Sequence, residues 1–236
     1  MKAKISRKEE IAKGTLLVTF DLLGSKIDFK AGQYFFITIP KLLYSDDKGN
    51  IRHFSIVNSP NENNVITMAT RIREESGFKK TLRDLPIGSL VEIGSVQGDF
   101  TLSKIKTNNL VLIAGGIGIT PFMGMLKYVQ EESLPYDITL IYSNRDKQSS
   151  AFLDELNELK NKNPNLKIVL IMTQDPSWTG ESKRVDVQFI ADKLPDFKNK
   201  TFYISGPPIF NQAISEVLKK LKIERRNILV ENFIGY

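Results

Sequence analysis

Leu110-Val111-Leu112-Ile113-Ala114 is an unbroken apolar run that leads directly into Gly115-Gly116-Ile117-Gly118-Ile119-Thr120-Pro121. A strand with no polar side must be covered on both faces, the condition of a strand inside a parallel sheet flanked by helices. The rhythm continues along the chain. Strands are expected over residues 138–142, 167–172, 201–204 and 228–231, with helices over 121–131, 151–160, 187–193 and 208–221. Strand and helix in alternation give right-handed βαβ units and a parallel sheet of five strands.

The first hundred residues have a different period. Strands are expected over 14–21, 32–39, 52–57, 65–73 and 90–93, with turn-forming stretches such as Asp46-Asp47-Lys48-Gly49-Asn50 between them. One short helix, over 78–85, stops at Pro86. Closely spaced strands with turns between them point to an antiparallel barrel. The change of rhythm divides the chain into domains of residues 1–104 and 105–236, joined by a polar link over 104–109.

A chain of 236 residues has room for two such domains. No apolar run approaches the roughly 20 residues that cross a bilayer, so no membrane insertion is expected. The N-terminus, Met1-Lys2-Ala3-Lys4-Ile5-Ser6-Arg7-Lys8, has neither the apolar core nor the cleavage site of a signal peptide, and a cytoplasmic location is expected. With no cysteine and one histidine, His53, the chain has no disulfide framework, thiolate zinc site or multi-histidine metal site. The net charge of +6 comes from lysines and arginines spread among acidic residues, which reads as a solvated basic surface and not as a nucleic-acid stripe. Such a field suits an anionic cofactor or an acidic protein partner.

The glycine turn after the first parallel strand is where function enters. Gly115, Gly116 and Gly118 allow a tight turn and close approach of backbone to a diphosphate. The helix that opens at Thr120 and Pro121 presents unpaired N–H groups to that anion. Pro121 suits a first helical position. In open sheets of this kind the ligand crosses the carboxyl ends of the strands. Ser143-Asn144-Arg145-Asp146 then lies by the adenosine ribose, where Arg145 suits a 2′-phosphate and Asp146 a 2′-hydroxyl. The balance leans slightly to NADPH over NADH.

Arg52-His53-Phe54-Ser55 on a barrel strand, a small helix, and then a parallel domain opening with Gly-Gly-x-Gly-x-Thr-Pro together resemble the ferredoxin–NADP reductase family of flavoproteins. The resemblance spans nearly the whole chain and includes Ala31-Gly32-Gln33, residues 77–82, Gly98-Asp99-Phe100, Ser205-Gly206-Pro207 and Glu231-Asn232-Phe233. It implies a six-stranded FAD-binding β-barrel followed by a Rossmann-like NAD(P)-binding domain with a five-stranded parallel sheet. It implies hydride transfer from NAD(P)H to FAD, then single electrons to a separate protein acceptor of the ferredoxin, flavodoxin, cytochrome or oxygenase type.

The resemblance also assigns roles. Arg52 pairs with the flavin diphosphate through its planar fork, Phe54 packs on the isoalloxazine and Ser55 bonds near flavin N5. Gly77, Phe78, Lys79, Lys80 and Thr81 form a second phosphate contact, which favours FAD over FMN, and Thr70 and Arg71 flank the adenylate. Ser205, Gly206 and Pro207 border the nicotinamide, and Glu231 serves proton balance or nicotinamide placement. Three departures stand out. Phe54 replaces the usual Tyr, at a cost of about 0.5–1.5 kcal/mol in cofactor binding. Ser205 stands where many members have Cys. Phe233 is the better match to the ring that covers the flavin, with Tyr236 its competitor. His53 alternates with Phe54 and is expected to face away from the flavin, on the phosphate side or the strand surface. Trp178 reads as a surface or packing residue of its loop, with a cap over the nucleotide cleft as the alternative. The alternative to an enzyme is a non-catalytic flavin- or nucleotide-binding subunit, or a redox sensor in a larger complex.

Overall fold

The computed structural model describes residues 1–102 and 107–233. The expected boundary between residues 104 and 105, and the alternative covering ring Tyr236, lie outside the described residues. Two compact units are present. Met1–Leu102 and Thr120–Tyr128 form the first, and the described residues 107–119 and 129–233 form the second.

The first unit is an antiparallel sheet of six strands: β1 (Lys2–Ala12), β2 (Thr15–Asp21), β3 (Tyr34–Thr38), β4 (Ile51–Ser55), β5 (Val65–Arg71) and β6 (Leu90–Gln97), in the order β4-β3-β6-β1-β2-β5. Helix α1 (Gly77–Asp84) lies between β5 and β6 in sequence. The strand β1 has no counterpart among the sequence-expected strands. Its inward residues are only Ala3 and Ile5, and a register shift between Ile5 and Arg7 breaks its alternation, so its sequence looks like a charged surface segment. The interior is filled by alternate residues of the strands, among them Ile5, Val18, Phe20, Phe35, Ile37, Ile66, Met68 and Ile93, with Phe78 and Leu82 of α1.

The sheet closes through the segment after β4. Val57 N–H donates to the Thr67 carbonyl at 2.8 Å. Asn58, 2% exposed, accepts from Thr67 N–H at 2.8 Å and donates through Nδ2 to the carbonyls of Glu62 (3.0 Å) and Val65 (3.2 Å). One side chain thus replaces the ladder where β4 has ended, and a closed sheet has no free edge there.

The second unit carries β7 (Asn109–Gly115), β8 (Asp137–Asn144), β9 (Leu166–Met172), β10 (Thr201–Gly206) and β11 (Ile228–Asn232), all parallel, in the order β11-β10-β7-β8-β9. Its helices are α3 (Leu153–Lys162), α4 (Val187–Lys193) and α5 (Pro208–Lys220); α2 (Thr120–Glu131) follows the glycine turn in sequence. The first strand of this half lies at the centre, so the order reverses between β7 and β10. That switch point opens a crevice at the carboxyl ends of the two strands.

Asn58→Ala leaves buried groups without partners and is expected to cost about 1–3 kcal/mol, seen as a lower urea midpoint at unchanged slope. An unshifted midpoint would show that Val57 and Thr67 close the barrel unaided.

Candidate functional site

At the switch point the chain turns through a short 3-10 segment, Gly116–Ile119, before α2. Gly116 has φ of +56°. A Cβ on Gly118 would stand 2.2 Å from the Ser205 carbonyl oxygen, so no side chain fits there. The turn therefore lies on the end of β10, and Ser205 and Gly206 flank it. Ser205 is fully buried, and its Oγ has no hydrogen-bond partner among the described residues. A buried hydroxyl without a partner costs free energy unless something completes it. Asn144, at the end of β8, likewise holds a buried Nδ2 without a partner among the described residues; sequence reasoning passed over it for its neighbours. Ser143 is half-buried and Arg145 exposed. The Asp146 carboxylate accepts from Ser149 N–H at 2.8 Å, which commits it to its own turn.

Register places Glu231 beside Ser205. Burial pushes its carboxyl up to about 7. Phe233 N–H donates to the Gly206 carbonyl at 3.1 Å. A second polar side chain that sequence reasoning missed ties this corner. Asn211 of α5, 2% exposed, donates through Nδ2 to Gly206 O (3.1 Å), Glu231 O (2.7 Å) and Asn232 Oδ1 (2.9 Å). Its signal was invisible because the three acceptors are backbone or distant in sequence. Trp178 packs over Gly180 and donates from Nε1 to Glu181 O at 3.0 Å, a loop-packing role.

In the first unit the pairing of β3 with β4 decides which way each motif residue faces. Ile37 pairs with Arg52 and Phe35 with Phe54, while Phe36 pairs with His53 and Tyr34 with Ser55. Phe35 and Ile37 are core residues, so Arg52 and Phe54 share the inward face. Phe54 is 6% exposed, with its ring 6.2 Å from that of Phe78. In this structure Phe54 packs against Phe78 of α1. His53 does face the other way, as alternation requires. It lies half-buried among Tyr34 (4.9 Å between ring centroids) and Phe36 (5.6 Å). Burial holds its imidazole below the usual range, so it is neutral at pH 7. Ser55 is buried, as is Thr70, and Arg71 is half-buried.

Arg52 itself is 3% exposed. Its Nη2 pairs with Asp46. Its Nη1 donates to the carbonyls of Lys48 (2.8 Å), Gly49 (3.1 Å) and Ile51 (2.6 Å), and its guanidinium lies 5.2 Å over the Phe78 ring. Asp46 also reaches the start of α1, where Oδ2 accepts from Phe78 N–H (2.8 Å) and the Ser76 hydroxyl (3.1 Å). A Cβ on Gly77 would stand 2.0 Å from the Ser45 carbonyl oxygen. Thr81 accepts from Leu43 N–H (3.0 Å) and Tyr44 N–H (3.3 Å). The expected phosphate seat at Gly77, Phe78 and Thr81 lies against the loop of residues 41–50 in this structure. Lys79 is 7% exposed, and burial together with the charges of Arg73 and Arg52 lowers its amine to about 8. Lys80 lies 4.9 Å over the Tyr44 ring.

Comparison with known proteins decides the family. Residues 2–102 match the oxidoreductase FAD-binding domain, and residues 112–216 match the oxidoreductase NAD-binding domain. The chain belongs to the ferredoxin–NADP reductase-like family of oxidoreductases. Members similar to it include flavohemoprotein A of Dictyostelium discoideum, 26% identical, with 86% of this chain and 52% of that protein covered. Another is the reductase component of phenol 2-monooxygenase from a Pseudomonas species, 27% identical over 89% of this chain and 59% of that protein. The chain thus spans little more than half the length of these relatives. A ferredoxin NADP+ reductase from Neisseria gonorrhoeae, solved with FAD and NADP, has the same fold. Its TM-score is 0.80 at 18% identity, with 98% of each chain covered. The antiparallel six-stranded sheet followed by a five-stranded parallel sheet is the architecture that the resemblance implies.

Arg52→Ala strips Asp46 of its buried partner and is expected to cost about 3–5 kcal/mol of stability, measured by denaturant unfolding; a change below about 1 kcal/mol would place the pair at the surface in solution. The raised Glu231 carboxyl has a definite sign. Its native form holds the proton more tightly than its unfolded form, so stability falls as pH rises from about 4.5 to about 7. Glu231→Gln should remove that decline, and parallel stability curves for the two proteins would contradict it.

Proposed function

We propose that this chain is a flavin-dependent reductase that takes hydride from NAD(P)H onto FAD and passes single electrons to a separate acceptor. The observation that carries this reading is the order of the two domains in one chain, FAD-binding and then NAD-binding. When bound, FAD would supply the chemistry that accepts a hydride pair and gives electrons back singly.

The residues fit both groups. A seat that already satisfies a carboxylate through Arg52, Ser76 and Phe78 N–H has the donors a phosphate needs. Under this reading Arg52, Lys79 and Lys80, with the helix start over residues 77–81, hold the diphosphate of FAD. Thr70 and Arg71 flank the adenylate, and Ser55 orients the flavin. In the other half, Gly115, Gly116 and Gly118 with Thr120 and Pro121 hold the diphosphate of the nicotinamide nucleotide. The unpartnered Ser205 hydroxyl, beside Gly206 and Pro207, completes its bonding on the nicotinamide. Glu231, with a carboxyl near 7, is able to hold or release a proton at neutral pH, and Phe233 covers the flavin. The domains then run over 1–104 and 105–236.

The turn role of Asp146 supports NADPH, since it leaves Arg145 as the exposed group by the ribose. Among relatives, a protein described as a reductase component supports delivery to a separate partner. The charge of +6 supports an acidic one. Among the described residues no helix is long and apolar enough to cross a membrane, and the reading is of a cytoplasmic reductase.

The test is a visible spectrum of the purified protein with FAD, followed by anaerobic addition of NADPH and NADH. Two flavin bands that bleach, faster with NADPH, are expected. Arg145→Ala should raise the KM for NADPH by about tenfold, the scale of one charge-assisted contact, while sparing NADH. A flavin that binds and never bleaches would favour a non-catalytic subunit or sensor. A protein that takes up no FAD would end the reading.

A further inference from the structure

Two donors in the places that the family resemblance assigns to a flavin diphosphate, the Arg52 guanidinium and the Phe78 N–H at the start of α1, both hold the carboxylate of Asp46. That carboxylate is fully engaged. Oδ1 takes the guanidinium and Lys48 N–H (3.0 Å), and Oδ2 takes Phe78 N–H (2.8 Å) and the Ser76 hydroxyl (3.1 Å). We propose that Asp46 is an internal stand-in for the flavin diphosphate, which gives up the seat when flavin binds, so that this residue sets the affinity and rate of flavin uptake. The inference rests on the flavin reading given above.

Charge favours the exchange. Arg52, Arg73 and Lys79 converge here against Asp46 and Glu75, and Glu75 is exposed and 3.7 Å from Arg73. Lys79 is 7% exposed, and its Nζ makes no ion pair among the described residues. Arg73 is exposed like its partner Glu75, so the one Asp46 carboxylate faces two buried cations, Arg52 and Lys79, which a doubly charged diphosphate would balance better. The loop that carries Asp46 is built to let go. Between β3 and β4, Lys41, Leu43, Tyr44, Ser45, Asp47, Lys48 and Gly49 are exposed, and Gly49 turns the chain at φ of +73°. What anchors it is chiefly polar: the Asp46 bonds, Arg52 Nη1 on the carbonyls of Lys48 and Gly49, the Thr81 hydroxyl on Leu43 and Tyr44 N–H, and Tyr44 Oη on Asp84 at 2.7 Å, with the half-buried Leu42 packed on the core. A segment with few buried apolar contacts opens at low free energy.

The residue also separates flavins by their phosphates. Riboflavin, which has none, does not compete with Asp46, whereas FAD must displace it.

Amide hydrogen exchange of the wild-type chain with and without FAD tests the exchange of partners. Peptides covering residues 43–48 should exchange faster once FAD is bound, because the loop that leaves with Asp46 takes Leu43 and Tyr44 N–H off the Thr81 hydroxyl. Slower exchange there, in a chain that binds FAD, would mean that the loop closes on the cofactor, and would overturn the inference alone. Asp46→Asn should bind FAD about tenfold more tightly than wild type with riboflavin affinity unchanged; equal or weaker FAD binding by a folded variant would also overturn it. A wild-type chain that takes neither FAD nor riboflavin would remove the flavin reading and this inference with it.

Discussion

A guanidinium buried at the inner face of a barrel strand requires a counter-charge within reach, and much of the first unit is arranged to provide one. Arg52 faces inward because it pairs with Ile37, and β3 cannot turn Ile37 outward without exposing Phe35 as well. Its charge then calls Asp46 down from a loop, Asp46 caps α1, and α1 brings Phe78 over both the guanidinium and Phe54. Loop, helix and strand are held by a network of polar contacts centred on the Arg52–Asp46 pair. Removing either charge leaves the other without compensation in a medium that penalises it.

The second unit rests on a different constraint. Its three inner strands, β10, β7 and β8, are buried almost throughout, so nothing along their length is free for chemistry. Polar groups gather where the strands end: Ser205 and Gly206 on β10, Glu231 on β11, Asn144 on β8. The reversal of strand order at β7 leaves these ends uncovered by any crossover. Gly118 then lets the turn lie against the Ser205 carbonyl, which a larger residue would prevent.

How much of this was legible follows from the same physics. Continuous apolar runs made β7 to β11 readable, and the capping Pro208 and the stop at Pro86 marked helix limits to within a residue or two. The strand β1 was not readable, because its inward face is only Ala3 and Ile5 and its remaining surface is charged. Arg52 and Phe54 were recognised as a motif, but their facing depends on strand partners that a linear pattern does not reveal. Asp46, Asn58 and Asn211 escaped for a related reason. Each is a polar residue whose meaning lies in acceptors and donors elsewhere in the chain, and nothing in its neighbours announces that partnership.

The serine at position 205 has a chemical consequence. A thiol so placed would be the one such group in the chain, able to be alkylated or to enter a mixed disulfide once reagents reached it. A hydroxyl is inert to both, and the chain has no other sulfur nucleophile, since it contains no cysteine. Its remaining oxidisable sulfurs belong to methionine thioethers, of which Met68, Met123, Met125 and Met172 are buried.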